Sequence, residues 1–240
     1  MASLLLTTGC GRFLSLYAFL FVNPKLVDPK LISSDALIDL IVDEIVLGRV
    51  AALATDTVFG LIGSAADCDA LDSIASIKGR DASVAMPVII GARTQLTSLV
   101  PSEMLNRQSV SKLIDSLWPG PLTIVLPLIP GRICDRYFSG GTVGLRLPAD
   151  SRLREIAKRA GPIVATSANE HSKPVLESGR EVLKAFGGRS VRNGLSVVVD
   201  ERARYEAAST VVEVSSASYR VIRPGAVSES AVAKAFGSGN

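Results

Sequence analysis

Polar residues gather at the ends of short apolar runs at four places in this chain. The clusters are Thr55-Asp56-Thr57, Thr142 with Arg146, Thr166-Ser167-Ala168-Asn169 and Ser209-Thr210. Amphipathic, helix-like stretches lie between the apolar runs, which have the length and composition of strands. This alternation predicts an α/β fold: an open, twisted mixed sheet flanked by helices, with a ligand site along one edge of the layer.

Turn residues and apolar periodicity set the boundaries of the expected elements. Helices are predicted at 35–47, 69–77, 102–117, 150–160 and 178–186, with a small helix near the C-terminus. Strands are predicted at 49–54, 86–90, 122–126, 142–147, 162–165, 196–200, 210–214 and 219–223. Gly48 and Gly161 end two of these helices, and Pro119 ends a third.

Two cations, Lys78 and Arg80, flank Gly79 just after the predicted helix 69–77. Lysine supplies a point charge and arginine a planar fork, so together with the hydroxyls of 55–57 they suit a ligand that carries a triphosphate and a carboxylate. Cations at a helix C-terminus also stabilise the helix dipole, which explains them equally well without a ligand. Ser, Thr and Asn at strand ends are common turn formers and caps, so the recurrence of the clusters is what favours a binding site.

Composition narrows the classes of function. The 240 residues, 48% hydrophobic and 20% charged, indicate a globular chain with a substantial core. A net charge of +3 is too small to predict nucleic-acid binding, although it leaves open that one groove is basic. The sequence has no P-loop, dinucleotide fingerprint, nucleophile elbow or HExxH helix. Short hydroxyls, amides and arginines instead have the chemistry to bind a nucleotide and an amino acid.

The cysteines and the single histidine argue against a dedicated metal site. Cys10, Cys68 and Cys134 lie far apart with no paired spacing, which predicts neither a zinc cluster nor a disulfide framework. Reduced thiols in a cytosolic compartment are therefore expected. His171 is the only histidine and is predicted to be a solvated loop residue, so a metal site would have to rely on carboxylates or thiols.

Residues 1–25 are the least domain-like part and are assigned to an N-terminal extension, with the domain at 26–240. The apolar run at 14–22 is too short to span a bilayer, and the flanking pattern of a signal peptide is missing. Three interpretations stay open: an extra element packed on the domain, an organellar targeting segment, or a mis-assigned start. A cytoplasmic protein without membrane association is expected.

Seven stretches, in order and with similar gaps, resemble the YrdC-type domain of the L-threonylcarbamoyladenylate synthase family, from about Val27 to the end. They are Ala54-Thr-Asp-Thr-Val-Phe-Gly-Leu61, Lys78-Gly-Arg80, Trp118-Pro-Gly-Pro-Leu-Thr123, Val143-Gly-Leu-Arg-Leu-Pro148, Thr166-Ser-Ala-Asn169, Ser209-Thr-Val-Val212 and Arg223-Pro-Gly225. Seven ordered matches are far more specific than any single one. The resemblance implies a YrdC-like fold in its short, single-domain form.

The resemblance also implies an activity. L-threonine, bicarbonate or CO₂, and ATP would condense to threonylcarbamoyl-AMP and pyrophosphate, and a downstream transferase would use the product to modify adenosine in tRNA. Threonine would be bound by Thr55, Arg146 and Ser209. The nucleotide and its phosphates would be bound by Lys78, Arg80, Thr142, Ser167, Asn169 and Arg223, with Lys78 and Arg80 acting in catalysis. Mg²⁺ is expected to accompany ATP, although no carboxylate cage for it is evident.

The sequence departs from the family pattern in several loops. Ala54 replaces a usual proline, Val84-Ala85 a polar residue and a proline, His171-Ser172 a Ser-Gly pair, and Glu201-Arg202 two glycines. Two alternatives therefore stay open. One is an RNA-binding module on the same fold, in which Lys78 and Arg80 contact RNA or tRNA phosphates. The other is a divergent relative that has lost activity.

Overall fold

The computed structural model describes residues 23–81, 86–138, 140–189, 194–203, 207–215 and 218–237. Most of the predicted extension, residues 1–22, lies outside the described residues, as do Val84 and Ala85. The described strands are β1 (Lys25–Val27), β2 (Val50–Ala54), β3 (Phe59–Ser64), β4 (Val88–Ile89), β5 (Leu122–Pro127), β6 (Thr142–Arg146), β7 (Ile163–Ser167), β8 (Leu195–Val199), β9 (Thr210–Val214) and β10 (Tyr219–Arg223). The described α-helices are α1 (Ser34–Val46), α2 (Cys68–Lys78), α3 (Leu96–Leu99), α4 (Ser102–Leu105), α5 (Gln108–Leu117), α6 (Ser151–Ala160), α7 (Gly179–Phe186) and α8 (Glu229–Phe236).

Ten strands of the described residues form one mixed sheet in the order β1-β8-β2-β3-β7-β4-β6-β5-β9-β10. The pairs β1–β8, β2–β8, β4–β6 and β5–β9 are parallel, and the other neighbours are antiparallel. Strand β4 has only two residues, so it forms a narrow link between a five-strand portion (β1, β8, β2, β3, β7) and a four-strand portion (β6, β5, β9, β10). The prediction of an open mixed α/β sheet is confirmed.

Helices bury both faces of the sheet. Along β2, Val50 and Ala52 belong to one apolar cluster while Ala51 and Leu53 belong to the other, because alternate side chains of a strand point to opposite faces. Helices α1 and α6 cover one face, and α2, α5, α7 and α8 cover the other. Each fully buried Leu or Ile in these layers contributes about 1.5–3 kcal/mol. Within the described part of the chain, no helix has the length and apolarity needed to cross a membrane.

Helix α2 ends at the cations that the sequence singled out. Asp67 caps its start by accepting a hydrogen bond from the backbone N–H of Asp69 at 2.8 Å. Gly79 ends it with φ of +60°, in the left-handed region that glycine adopts without steric cost. The chain turns at Gly79, so Lys78 and Arg80 are presented together at the C-terminal end of the helix.

Three sequence predictions need correction. The predicted helix 102–117 is two helices, α4 and α5, because Arg107 has an extended backbone (φ −71°, ψ 126°) and the preceding Asn106 is a weak helix former. Strands β1 and β3 are not predicted by the apolar pattern. β1 has only three residues, and Gly60 inside β3 is more typical of a turn.

Cys68 and Cys134 form a disulfide, with their Cα atoms 5.3 Å apart across a sequence separation of 66 residues. The expectation of reduced thiols without a disulfide was therefore wrong for this pair. Cys68 begins α2, and Cys134 precedes a 3₁₀ turn at Asp135–Tyr137. The Cys134 N–H donates to the Ala65 carbonyl at 2.9 Å, so the two segments run side by side. Tertiary packing creates this proximity, which spacing in the sequence does not reveal.

We expect the disulfide to stabilise the fold, because it restricts the unfolded chain. Reduction should lower the free energy of unfolding by about 2–4 kcal/mol, as is typical of a disulfide that closes a long loop. Chemical denaturation with and without dithiothreitol measures this change. A variant with both Cys68→Ser and Cys134→Ser should match the reduced protein and be insensitive to the reductant. Thiol titration of the unfolded chain should find two fewer reactive thiols before reduction than after, and equal counts would contradict the bond.

Candidate active site

A cavity of about 360 Å³ brings together side chains from widely separated parts of the chain. The predicted site residues that line it are Thr55, Lys78, Arg80, Arg146, Ser167, Asn169, Ser209 and Arg223. They come from the turn after β2, the end of α2, the ends of β6, β7 and β10, and the start of β9. The structure thus confirms that these residues converge, whereas their individual roles toward ligands stay predictions.

The cavity lies against a face of the sheet as well as at strand ends. Its wall includes Ile89 of β4, Ala165 of β7 and Leu153 of α6. The sequence predicts a site along one edge of the layer, and this location is only partly right. Strand β4 has only two residues, so the sheet is narrow beside the cavity.

The Lys78 ammonium is buried, and only 4% of the residue is exposed. It donates to the Ser167 carbonyl, to the Asn169 carbonyl at 2.9 Å and to Asn169 Oδ1 at 3.0 Å. Ser167 Oγ also donates to Asn169 Oδ1, at 2.6 Å. Burial, and secondarily the charge of Arg80, lowers the pKa of Lys78 to about 8. The segment after β7 therefore holds the ammonium at a fixed point in the wall of the cavity.

Arg80 lines the same cavity and is half-buried. Its Nε and Nη2 atoms are buried and have no hydrogen-bond partner among the described residues. Burial lowers the pKa of Arg80, while Tyr137 raises it. A buried donor without a partner costs roughly 1–3 kcal/mol, and an oxyanion ligand would remove that cost. Arg80 is thus well placed to receive a phosphate oxygen.

Arg146 forms a buried clamp with Asp56. Its Nη2 donates to Asp56 Oδ2 at 2.8 Å, its Nε to the Gly120 carbonyl at 3.0 Å and its Nη1 to Thr57 Oγ1 at 3.3 Å. Burial lowers the pKa of Arg146, and the Asp56 carboxylate opposes that change. The described residues use three of the five guanidinium N–H groups, which leaves two for a carboxylate ligand.

Two buried hydroxyls shape the wall near this clamp. Thr55 Oγ1 donates to the Val58 carbonyl at 2.7 Å and accepts from the Thr57 N–H at 3.2 Å, so it holds the turn between β2 and β3. Ser209 Oγ lies 3.0 Å from Thr123 Oγ1. The two hydroxyls therefore have structural partners and also face the cavity.

Arg223 fixes the position of Ser209 from the other side. Its Nη2 donates to the Ser209 carbonyl at 2.8 Å and to Ser209 Oγ at 3.1 Å. Burial lowers the pKa of Arg223. The chain then turns at Pro224 and Gly225, where a Cβ atom would collide with the carbonyl oxygen of Ala208. Glycine at this position allows the turn to pack directly on the start of β9.

Thr142 is not brought together with the other predicted residues. It is the first residue of β6, at the end of the strand remote from Arg146, and its side chain is exposed. Over five residues a strand extends by about 13 Å, which separates the two side chains. Thr142 does not belong to the cavity wall formed by the described residues. Its contact with a nucleotide stays a prediction that this geometry does not support.

Several residues of the site were not predicted. Asp56 lies in a predicted polar cluster, but its pairing with Arg146 depends on contact across 90 residues of sequence. Thr123, His171 and Ser172 also line the cavity. His171 is exposed, as predicted. Ser172 has φ of +63°, a left-handed conformation that is unusual for a residue other than glycine, and it lies in one of the departing loops.

The chemistry of the site is that of anion binding. Within the described part of the chain, no group of three or more His, Cys, Asp and Glu residues could hold a metal ion. The Asp56 carboxylate is already paired with Arg146. The walls instead supply cations, hydroxyls and amides, which suit phosphate and carboxylate groups.

Comparison with known proteins identifies relatives of this chain. A Mycobacterium tuberculosis protein provisionally named a threonylcarbamoyl-AMP synthase is 30% identical over 191 residues, which cover 79% of this chain and 84% of the relative. The Pyrococcus abyssi threonylcarbamoyl-AMP synthase is 32% identical over 196 residues, which cover 79% of this chain but 54% of the relative.

A solved structure and a family model agree with these relatives. The crystal structure of P. abyssi Sua5 complexed with L-threonine aligns with a TM-score of 0.73 and 29% identity, covering 86% of this chain and 58% of that protein. The chain thus spans little more than half the length of the P. abyssi relative. The Sua5/YciO/YrdC family model, described as "Telomere recombination", matches residues 43–225. With more than half of its length matched by this model, the chain belongs to the Sua5/YciO/YrdC family.

Proposed function

We propose that this chain is an L-threonylcarbamoyladenylate synthase. It would condense L-threonine, bicarbonate or CO₂, and ATP to threonylcarbamoyl-AMP and pyrophosphate. The observation that carries the proposal is the convergence of three cations, the buried Lys78 and Arg146 and the half-buried Arg80, in one cavity lined with hydroxyls and amides. The names of the relatives and the threonine bound to P. abyssi Sua5 support it.

The two ends of the cavity suit the two ligands. At one end, Lys78 and Arg80 with Ser167 and Asn169 would hold the phosphates of ATP, since a point charge and an open guanidinium neutralise oxyanions. Arg146 would bind the threonine carboxylate with the two N–H groups that its three bonds to Gly120, Thr57 and Asp56 leave over. Thr55 and Ser209 would lie beside the threonine, and Arg223 beside the nucleotide.

The proposed step needs no covalent enzyme intermediate. The threonine amine and bicarbonate would first form N-carboxy-threonine with loss of water, and the carbamate oxygen then attacks the α-phosphorus of ATP. A new O–P bond forms, the bond from the α-phosphorus to the bridging oxygen breaks, and pyrophosphate leaves with the electron pair. The enzyme would align the reactants and neutralise the charge that develops on the leaving group. Mg²⁺ would enter with the ATP phosphates, since the described residues form no cage for it.

An RNA-binding role is the second candidate, and the geometry favours it less. A module that contacts RNA phosphates needs a broad, exposed basic face. Lys78 and Arg146 are instead 4% and 6% exposed, inside a cavity of small-molecule size. Under the proposal, tRNA and a transferase would use the product downstream, so neither needs to bind this cavity. The pyrophosphate-release assay described next tests the third alternative, that the chain is an inactive relative.

We expect the purified protein to release pyrophosphate from ATP when bicarbonate and L-threonine are both present, and to form an acyl-adenylate that mass spectrometry detects. Other amino acids should support little release. Lys78→Ala and Arg80→Ala should each lower the rate by about 100-fold, because each removes a cation from the charge that develops in the transition state. Arg220→Ala, which breaks only an exposed pair with Glu213, should leave the rate unchanged. Wild-type turnover in both cavity variants would contradict the phosphate assignment.

We expect Arg146 to act on threonine more than on ATP. Arg146→Lys keeps the charge but loses the planar fork, so the KM for threonine should rise about tenfold or more, whereas the KM for ATP should change little. Steady-state kinetics with each substrate varied in turn measures the split. Equal increases for both substrates would indicate general damage to the cavity and would overturn the assignment.

The pKa of about 8 for Lys78 predicts a pH dependence of ATP binding. The protonated ammonium binds phosphates, and it is the main form below pH 8 and the minor form above it. The Kd for ATP should therefore rise about tenfold between pH 7 and pH 9. Calorimetric titrations across this range measure the change. Lys78→Arg stays charged throughout, so its profile should be flatter; identical profiles for the variant and the wild type would exclude Lys78 as the titrating group.

A further inference from the structure

Ala54, the last residue of β2, pairs with Phe59 of β3 on one side, and on the β8 side it is held by two charged side chains. Its backbone N–H donates to Glu201 Oε1 at 2.8 Å, and its carbonyl accepts from Arg152 Nη2 at 3.0 Å. The two side chains also bind each other: Arg152 Nη1 lies 3.0 Å from Glu201 Oε2 and Nη2 lies 2.7 Å from Oε1. The N–H and the carbonyl of Ala54 are therefore both bound by one ion pair.

The ion pair takes the place of a missing strand partner. Strand β2 pairs in parallel with β8 as far as Ala52 opposite Val198, and β8 ends at Val199. Ala54 lies beyond the last backbone pair on that side. Within a strand, the N–H and carbonyl of one residue point to the same neighbour. Glu201, just after β8, and Arg152, in α6, supply the acceptor and the donor that β8 no longer provides.

The position of Ala54 matters for the site because the turn between β2 and β3 begins there. Thr55 follows directly and lines the cavity, and its hydroxyl holds the turn. Asp56 comes next and pairs with Arg146 at 2.8 Å. Any displacement at the end of β2 would therefore shift both the Thr55 hydroxyl and the carboxylate that orients the Arg146 guanidinium.

Glu201 and Arg152 act on the cavity from outside it, since neither belongs to its lining. Their side chains are 20% and 23% exposed, so the pair is partly shielded from solvent, and its bonds to Ala54 are charge-assisted. The exposed pair of Glu213 and Arg220, on β9 and β10, bridges side chains alone. The bonds to a backbone N–H and carbonyl distinguish the Glu201–Arg152 pair from that surface pair.

We propose that Glu201 and Arg152 are positioning residues for the threonine end of the cavity, and that they act through the backbone of Ala54. The inference rests on the proposed function, since it assigns the Thr55 and Arg146 end to threonine. It makes no claim on the phosphate end, where Lys78 and Arg80 are held by α2 and by the segment after β7.

The first test compares Glu201→Ala with Glu201→Gln in the full chain. Glu201→Ala should raise the Kd for L-threonine, measured by calorimetry, by about tenfold, because it removes the acceptor and frees Arg152. The Kd for ATP should change little. Glu201→Gln keeps an oxygen that can accept from Ala54, so it should recover part of the affinity. Glu213→Ala is the matched control, because it breaks a Glu–Arg pair without contact to the cavity, and it should bind as the wild type does.

The second test uses the backbone directly. Ala54→Pro removes the N–H that donates to Glu201. Adding Glu201→Ala to the Ala54→Pro variant should therefore reduce the affinity for threonine less than adding Glu201→Ala to the wild type does. Should Ala54→Pro fail to fold, amide hydrogen exchange supplies the same information. The N–H groups of Ala54, Thr57 and Val58 should exchange faster in Glu201→Ala, whereas those of β5 and β6 should not.

The outcomes separate the two proposals. If the wild type does not bind L-threonine, the proposed function is wrong, and hydrogen exchange then decides whether the ion pair holds the turn. If the wild type binds threonine and Glu201→Ala binds it equally well, the positioning role is wrong while the function stands. Equal losses of threonine and ATP affinity would show a merely structural role and would also overturn the inference.

Discussion

The buried ion pair of Arg146 and Asp56 connects two portions of the sheet that share little backbone pairing. Arg146 ends β6 in the four-strand portion, and Asp56 follows β2 in the five-strand portion. Among the described residues, the two-residue strand β4 links these portions through the ladder. A buried pair is favourable when its remaining polar atoms are also bonded. Gly120, Thr57 and Ala149 provide three such bonds, whereas the buried Asp56 Oδ1 has no hydrogen-bond partner among the described residues. The cavity therefore lies where a contact between side chains adds to the short backbone pairing that joins the two portions of the sheet.

The cavity brings several cations close together. Lys78 and Arg80 lie close enough that the charge of Arg80 contributes to the lowered pKa of Lys78, and Arg223 acts in the same direction on Arg146. Such repulsion and desolvation cost stability in the free protein, and the rest of the core must offset them. Anionic ligands would relieve both effects. The clustered cations thus lower the stability of the free protein at the place where anionic ligands would bind.

Local patterns in the sequence predict what local physics determines. Helix α2 and its end at Gly79 follow from a capping aspartate, apolar periodicity and a glycine in the left-handed region, so the placement of Lys78 is predictable. Contacts made between distant segments are not. The disulfide of Cys68 and Cys134 and the partner of Arg146 depend on how the sheet is ordered, which no short stretch encodes. Convergence of the site was predictable only because its motifs were recognised as a set.

The same distinction applies to Thr142, which shares a strand with Arg146 but lies at its other end. A motif match names residues that are close in sequence, whereas a strand of five residues separates its ends by about 13 Å. Strand direction must be known before such a residue can be assigned to a site. The prediction was strongest for side chains at the end of a strand that runs into the cavity, as Ser167 does at the end of β7.

Departures from a family pattern are best interpreted through the contacts that they create. A proline at position 54 would have no N–H. Ala54 is only 9% exposed, so its N–H needs an acceptor within the protein. Glu201, 147 residues away and itself a departure, supplies that acceptor at 2.8 Å. Two substitutions that each weaken the match to the family thus compensate each other in space. Ser172 differs, because its left-handed backbone has no such compensation among the contacts of its loop, and nothing in the structure explains why it replaces glycine.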